Sequence, residues 1–320
     1  MGNPKNIGCV LVYFLSLLLS FGQKPSKKLP LKNSVSLVIL GTVQDAGSPH
    51  IACEKECCAT LFATGDTSRK VVSLGVVDAL ARESFLFEAT SDIAAQLRNL
   101  RTYSGFQKTD IPNGIFLTHA HIGHYTGLMY LGKEATNTKE APVYAMPKMA
   151  AFLKTNGPWS QLVSNKNIDL KTLHNNKEKQ LTKDLKVIPF TVPHRDEYSE
   201  TVGYRIIGPN KSALFIPDID KWEKWETSVV SEIKKVDYAF LDATFYDAAE
   251  INNRDISEIP HPFIIESMAL FKNLPSAEKK KIHFIHFNHT NPLLRADSKA
   301  SKKVLEMGFG IAKKGQVFEL

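Results

Sequence analysis

The sequence has no internal repeat, no low-complexity tract and no glycine/serine linker of useful length. Without them, its 320 residues read as one large α/β domain rather than two small ones. Nucleic-acid motifs are missing too. The formal charge is +7, but the lysines are scattered and only Lys279–Lys281 forms a short run. That pattern describes a solvated basic surface, with no nucleic-acid partner expected and an anionic small-molecule substrate compatible with it. Cysteine is scarce, at four residues: Cys9, Cys53, Cys57 and Cys58. The last three fall within six positions, an odd number set too close to pair without strain, which makes a poor disulfide framework. What is present, 43% apolar and 23% charged residues, is ordinary globular composition.

Residues 1–22 read as a secretory signal peptide. Lys5 supplies the positive start, Ile7 to Phe21 is almost wholly apolar, and Ser20 and Gly22 are the small residues before Gln23. The run is short for a membrane span, so no stable anchor is expected after cleavage. Residues 23–33 form a polar tether, and 34–320 the folded domain, placed in the periplasm or outside the cell. Cys9 leaves with the leader. The three remaining thiols would be a liability in an oxidising compartment unless a metal holds them.

Apolar runs alternate with amphipathic stretches. Strands are predicted at Val35–Leu40, Val71–Val77, Ser84–Glu88, Ile115–Thr118, Val143–Ala145, Leu185–Val192, Val202–Ile207, Ala213–Ile216, Tyr238–Leu241, Ile282–Phe287 and Gln316–Leu320. Helices are predicted at Asp92–Leu100, Tyr125–Lys133, Lys148–Thr155, Pro262–Phe271 and Ala296–Met307. Sheet packed on sheet with helical flanks is the expected class. Thr118-His119, His194, Asp218, Asp242 and His286 each end an apolar strand, so they can converge at one sheet edge.

The run Phe116-Leu-Thr-His119-Ala-His121-Ile-Gly-His124-Tyr125 places three of the chain's 10 histidines in six residues behind a strand. Imidazoles so grouped suit zinc or iron. The run resembles the metallo-β-lactamase superfamily signature His-x-His-x-Asp-His, and the resemblance extends over about residues 35 to 320. It implies a four-layered αβ/βα sandwich. It also implies that His119, His121 and His194 hold a first metal, that Asp218 bridges, and that His286 serves a second metal with His124. Glu88, in Phe85-Leu-Phe-Glu88, matches the acid that buttresses the histidine loop, and Asp242 matches an acid beside the metals that orients a ligand histidine. The signature aspartate is replaced by Gly123. About one tightly held metal is therefore expected at the histidines, and Gly123→Asp is expected to raise occupancy of the second position. His261 reads as a pocket residue, while His174 and His283 have no expected role.

Cys53, Cys57 and Cys58 suit a structural zinc that needs a fourth ligand. His289, three residues past His286, supplies one, and His50 competes for the place. The glycine-rich loop Gly41-Thr-Val-Gln-Asp-Ala-Gly, the cysteine cluster and the ending Asn288-His-Thr-Asn-Pro292 resemble the pyrroloquinoline-quinone biosynthesis B proteins. The cluster with His-x-x-His resembles the phosphonate-pathway cyclic phosphodiesterases, where such a histidine completes a structural zinc site. The resemblance implies a phosphodiesterase-like metal-dependent hydrolase, and the leader read at residues 1–22 makes it a secreted one. Metal-activated water would be the nucleophile, with Asp218 and His194 catalytic and zinc at both sites. Iron or manganese is the alternative occupant of the histidines. The alternatives in other classes are an oxygen or redox metalloenzyme and a non-catalytic metal-containing binding protein.

Overall fold

Val35–Gly41 (β1) is VSLVILG, and every one of its residues is buried. A strand so apolar throughout must be covered on both faces. In the computed structural model, which describes Gly2, residues 35–251 and residues 259–320, it is covered in this way. Leu37 and Ile39 face a core shared by two sheets, while Val38 and Leu40 face helices. The expected leader and tether lie, apart from Gly2, outside the described residues.

The first sheet contains β1, Ser73–Asp78 (β2), Glu83–Phe87 (β3), Gly114–Phe116 (β4), Ala141–Ala145 (β5) and Ile168–Thr172 (β6). The second contains Lys179–Gln180 (β7), Lys186–Thr191 (β8), Val202–Ile207 (β9), Ser212–Ile216 (β10), Tyr238–Asp242 (β11), Ile282–Ile285 (β12) and Gly310–Ile311 (β13). Val317–Glu319 (β14) returns to the first sheet beside β1, so the orders are β14-β1-β2-β3-β4-β5-β6 and β13-β12-β11-β10-β9-β8-β7. Phe87, Phe116 and Leu74 meet Tyr204, Phe215 and Phe240 between the sheets. Outside the first sheet lie Ile93–Ser104 (α2), which follows Glu56–Thr64 (α1), and Pro147–Thr155 (α4), which follows the short Ile122–Tyr125 (α3). Trp159–Ser164 (α5) packs beside α4. Outside the second lie Val229–Lys234 (α6), Ile264–Phe271 (α7) and, after Ser276–Lys279 (α8), Lys299–Glu306 (α9). This is the expected four-layered αβ/βα sandwich. Among the described residues no helix is long and apolar enough to cross a membrane.

Strand direction determines where the site forms. β1 and β3 are each antiparallel to β2, and β3, β4, β5 and β6 run parallel, so the C-terminal ends of β1, β3 and β4 share one edge. β8 and β10 are each antiparallel to β9, and β10, β11 and β12 are parallel, so their C-terminal ends also share one edge. The two edges are joined across the sandwich. Gln44 N–H donates to the Phe287 carbonyl at 2.8 Å, and Phe287 N–H to the Thr42 carbonyl at 2.9 Å.

The expected helix Tyr125–Lys133 is instead α3 followed by a 3-10 turn at Thr126–Leu131. Gly127 explains the tightening: a Cβ there would sit 2.1 Å from the Thr90 carbonyl oxygen, so the backbone packs against the β3 loop. The cysteine cluster is not wholly on a loop, since Cys57 and Cys58 lie in the first turn of α1.

Candidate metal centre

Each histidine of the signature run is fixed by backbone neighbours. Ala120 N–H donates to Ser199 Oγ at 2.8 Å, the Tyr204 hydroxyl donates to the Leu117 carbonyl, and Ala89 N–H donates to the His124 carbonyl at 3.0 Å. His119 Nε2 and His121 Nδ1 lie 2.9 Å apart, and His119 Nε2 is 3.3 Å from Asp218 Oδ2. His194 Nε2 is 3.3 Å from Asp218 Oδ1. One ligand atom from each of His119, His121, His194 and Asp218 lies within 4.8 Å of the others. A second group, Asp45, His124 and His286, meets the same limit. Asp218 Oδ2 is also 3.6 Å from His124 Nε2, so this carboxylate spans both groups.

The tautomers follow from the partners. His194 Nδ1 is 3.0 Å from Asp220 Oδ1, a carboxylate oxygen that only accepts, so Nδ1 carries the proton and Nε2 offers its lone pair. Thr244 Oγ donates to Asp242 Oδ1 at 2.7 Å, and so accepts from His286 Nδ1 at 2.9 Å. Asp242 therefore orients His286 through Thr244, and its Oδ2 accepts from His261 Nδ1 at 2.9 Å. Glu88 Oε2 is 3.3 Å from His124 Nδ1. Glu88 and His286 hold left-handed φ values of 77° and 68°, a conformation costing about 1–3 kcal/mol for such residues and concentrated at functional sites.

Electrostatics acts on these groups in different directions. Burial, then the charge of His124, holds His119 well below the ordinary histidine value, leaving it neutral. Burial opposes the charge of Asp218, but His194 and His261 outweigh it and hold the carboxyl well below the usual range. Burial likewise opposes a charged His124, yet Glu88 pushes it up to about 9. His124 Nε2, His194 Nε2, His286 Nε2 and Asp218 Oδ1 are buried and make no hydrogen bond. An unsatisfied buried polar atom costs about 1–3 kcal/mol, so two in the group of His194 and Asp218 and two in the group of His124 and His286 fit divalent cations there. A donor set of imidazoles and a carboxylate suits zinc or iron, the metal displacing the proton that Glu88 holds on His124.

The cysteines form a separate group. Cys53, Cys57, Cys58 and His289 each offer one ligand atom within 4.8 Å of the others. Asn288 Nδ2 donates to Thr290 Oγ at 2.7 Å, which turns Asn288 Oδ1 toward His289 Nδ1 at 3.0 Å and leaves His289 Nε2 free to ligate. Burial, with His50 and Lys55 nearby, lowers His289 to about 4 and keeps it neutral. Burial and the neighbouring thiols push Cys57 up to about 12, a crowding that a dication relieves by taking the thiolates. His50 is the neighbour and not the fourth donor: its ring lies 4.3 Å from that of His289, and its Nδ1 meets the Ile51 carbonyl at 2.7 Å.

The structure thus gathers every sequence-derived ligand. His174 is exposed on a loop, and His283 packs against Phe240 and Phe318 away from the site. Three residues gain a place. His261 Nδ1 sits 3.1 Å from Asp218 Oδ1 as well as beside Asp242, Asp220 orients His194, and Asp45 enters from the β1 loop. Asp45 also alters the expectation for Gly123. A Cβ on Gly123 would lie 1.9 Å from Asp45 Cβ and 2.6 Å from its Cα, so Gly123→Asp has no room while Asp45 is there.

A family model described as β-lactamase superfamily domain matches residues 83–287. Coenzyme PQQ synthesis protein B from Gluconobacter oxydans is 24% identical over 310 residues, covering 89% of this chain and 99% of that protein. The crystal structure of Zn(2+)-bound PqqB from Methylobacterium extorquens superposes with a TM-score of 0.71 at 21% identity, covering 89% of this chain and 100% of that one. A diphosphatase from the PhnP family superposes with a TM-score of 0.61 at 21% identity, covering 90% and 98%.

Proposed function

Because this chain belongs to the β-lactamase superfamily and has the metallo-β-lactamase fold, we propose that it is a zinc-dependent hydrolase of phosphodiester or related ester bonds. The observation that carries this reading is the convergence of His119, His121, His194 and Asp218 with buried, unpartnered donor atoms. A divalent cation at such donors lowers the pKa of a water molecule from about 15.7 to about 7, which supplies the nucleophile at neutral pH. The chain's own residues supply the rest. Asp218, ionised in the company of His194 and His261, accepts a hydrogen bond from the attacking water and takes its proton. Asp220 holds the His194 ring in its ligating tautomer, and Asp242 does the same for His286 through Thr244. The net charge of +7 favours an anionic small molecule as substrate. The diphosphatase among the structural neighbours supports a phosphorylated substrate.

A second reading, oxygen or redox chemistry with iron, is favoured by the similarity to coenzyme PQQ synthesis protein B along 99% of that protein. One experiment separates the two. Protein stripped with chelator and reloaded with zinc or with iron is assayed against an aryl phosphodiester and a carboxylic ester, with oxygen consumption monitored. Zinc is expected to restore phosphodiester hydrolysis by about 10³-fold over the stripped protein, about 4 kcal/mol of barrier. Oxygen uptake by the iron form, with no hydrolysis by the zinc form, would establish the second reading instead.

A further inference from the structure

We propose that Asp45 is the carboxylate ligand of a second metal position, entering from the β1 loop in place of the aspartate that the signature run lacks at Gly123. The inference rests on reading the histidine cluster as a metal centre.

Three independent features carry it. First, a carboxylate oxygen of Asp45 and a ring nitrogen from each of His124 and His286 lie within 4.8 Å of one another. Second, His124 and His286 are fully buried, and the Nε2 of each makes no hydrogen bond. Two buried imidazole nitrogens aimed at one carboxylate describe a cation site with an anion already in it. Third, Asp45 and a side chain at position 123 exclude each other. The Cβ that position 123 would carry falls 1.9 Å from the Cβ of Asp45, little more than a bond length. The Asp45 side chain therefore springs from nearly the point where a signature aspartate would begin. Gly123 has no left-handed φ, so its backbone does not require glycine. The close approach of Asp45 does: its Cα and carbonyl oxygen would lie 2.6 Å and 2.7 Å from the added atom.

The Asp45 loop is held in place. The Gln44 side-chain amide donates to Asp45 Oδ1, and Gln44 N–H is bound to the carbonyl of Phe287, the residue after His286. Asp45 and His286 are thereby carried on one hydrogen-bonded unit, closed further on by the cysteine group that contains His289. With Asp218 reaching both groups, the histidine centre has two complete positions, and the expectation of a single tightly held ion gives way to two. Asp45 lies outside residues 83–287, the span matched by the family model.

Metal stoichiometry and affinity test this without reference to activity. Stripped full-length protein is titrated with zinc, followed by calorimetry and by metal analysis after desalting, for the unmodified chain, Asp45→Asn and Gly123→Ala. The unmodified chain is expected to hold three zinc ions, one at the cysteines and two at the histidines. Asp45→Asn keeps the side-chain shape and is expected to weaken one ion at least tenfold, leaving the other two unchanged. Gly123→Ala, which adds no ligand but displaces Asp45, should weaken the same ion. The retained cysteine-site zinc reports that each variant is folded. Asp45→Asn holding three ions with affinities within twofold of the unmodified chain would overturn the assignment. So would an unmodified chain that holds one ion at the histidines at saturating zinc. Failure of ester hydrolysis with three ions bound would count against the hydrolase reading and leave Asp45 in place.

Discussion

Asp218→Asn is expected to lower kcat/KM for phosphodiester hydrolysis by about 10³-fold or more, a loss of about 4 kcal/mol of transition-state stabilisation. The side chain is 4% exposed and lies within 3.3 Å of His119, His194 and His261. Asparagine preserves its volume but removes the one anion common to all of them. One end of the amide donates: in place of Oδ1 it meets the His261 Nδ1 proton, and in place of Oδ2 it occupies the His119 lone pair that would otherwise ligate. Removing one partner from a buried set of charges costs about 3–5 kcal/mol, because the remaining charge is left uncompensated. The variant should therefore bind zinc less tightly at the histidines and lose its proton acceptor as well. Zinc titration with parallel kinetics reads both effects. Activity within tenfold of the unmodified chain at saturating zinc would remove Asp218 from the mechanism.

Cys57→Ser is expected to release one zinc per chain and to lower the melting temperature by about 10 °C, equivalent to several kcal/mol in a domain of this size. Structural zinc in small domains contributes about 10–16 kcal/mol of apparent binding energy, most of which appears as folding energy. Here the cysteine group closes the segment from Asp45 to Cys58 onto the loop after β12 through His289. That segment has little apolar anchorage of its own, since α1 buries only Cys58. The pH dependence follows from the thiol. Cys57 is pushed up to about 12 by burial and its thiol neighbours, so zinc displaces a proton on binding and affinity rises with pH. Metal analysis, a melting curve and a zinc affinity series from pH 6 to 8 check this. Unchanged zinc content and melting temperature would contradict a structural site.

Most of this centre was legible because its residues obey one rule, a polar residue closing an apolar strand. His119, His194, Asp218, Asp242 and His286 were all visible that way, and the parallel runs β3-β4 and β10-β11-β12 explain why the rule works. Asp45 satisfies it too, following β1 by four residues. It escaped notice because sequence shows that Gly123 removes a carboxylate but not what comes to occupy the space. His261 reads as a pocket residue from its sequence, but its pairing with Asp218 and Asp242 depends on the loop between β11 and α7, which sequence does not trace. Among the strands, β6 (IDLKT) went unread because it buries little beyond Ile168, and β7 and β13 have two residues each, too few for a periodicity. The start of α1 coincides with the cysteine cluster, whose metal chemistry masks a weak helical pattern.

The central claim is that the histidine cluster is a zinc centre, and anomalous diffraction tests it most directly. Crystals of protein purified without added metal are measured on both sides of the zinc absorption edge and again at the iron edge. The predicted result is a zinc peak bounded by His119, His121, His194 and Asp218, a second beside Asp45, His124 and His286, and a third among Cys53, Cys57, Cys58 and His289. An iron peak at the histidines, or no peak there while the cysteine site is filled, would contradict it.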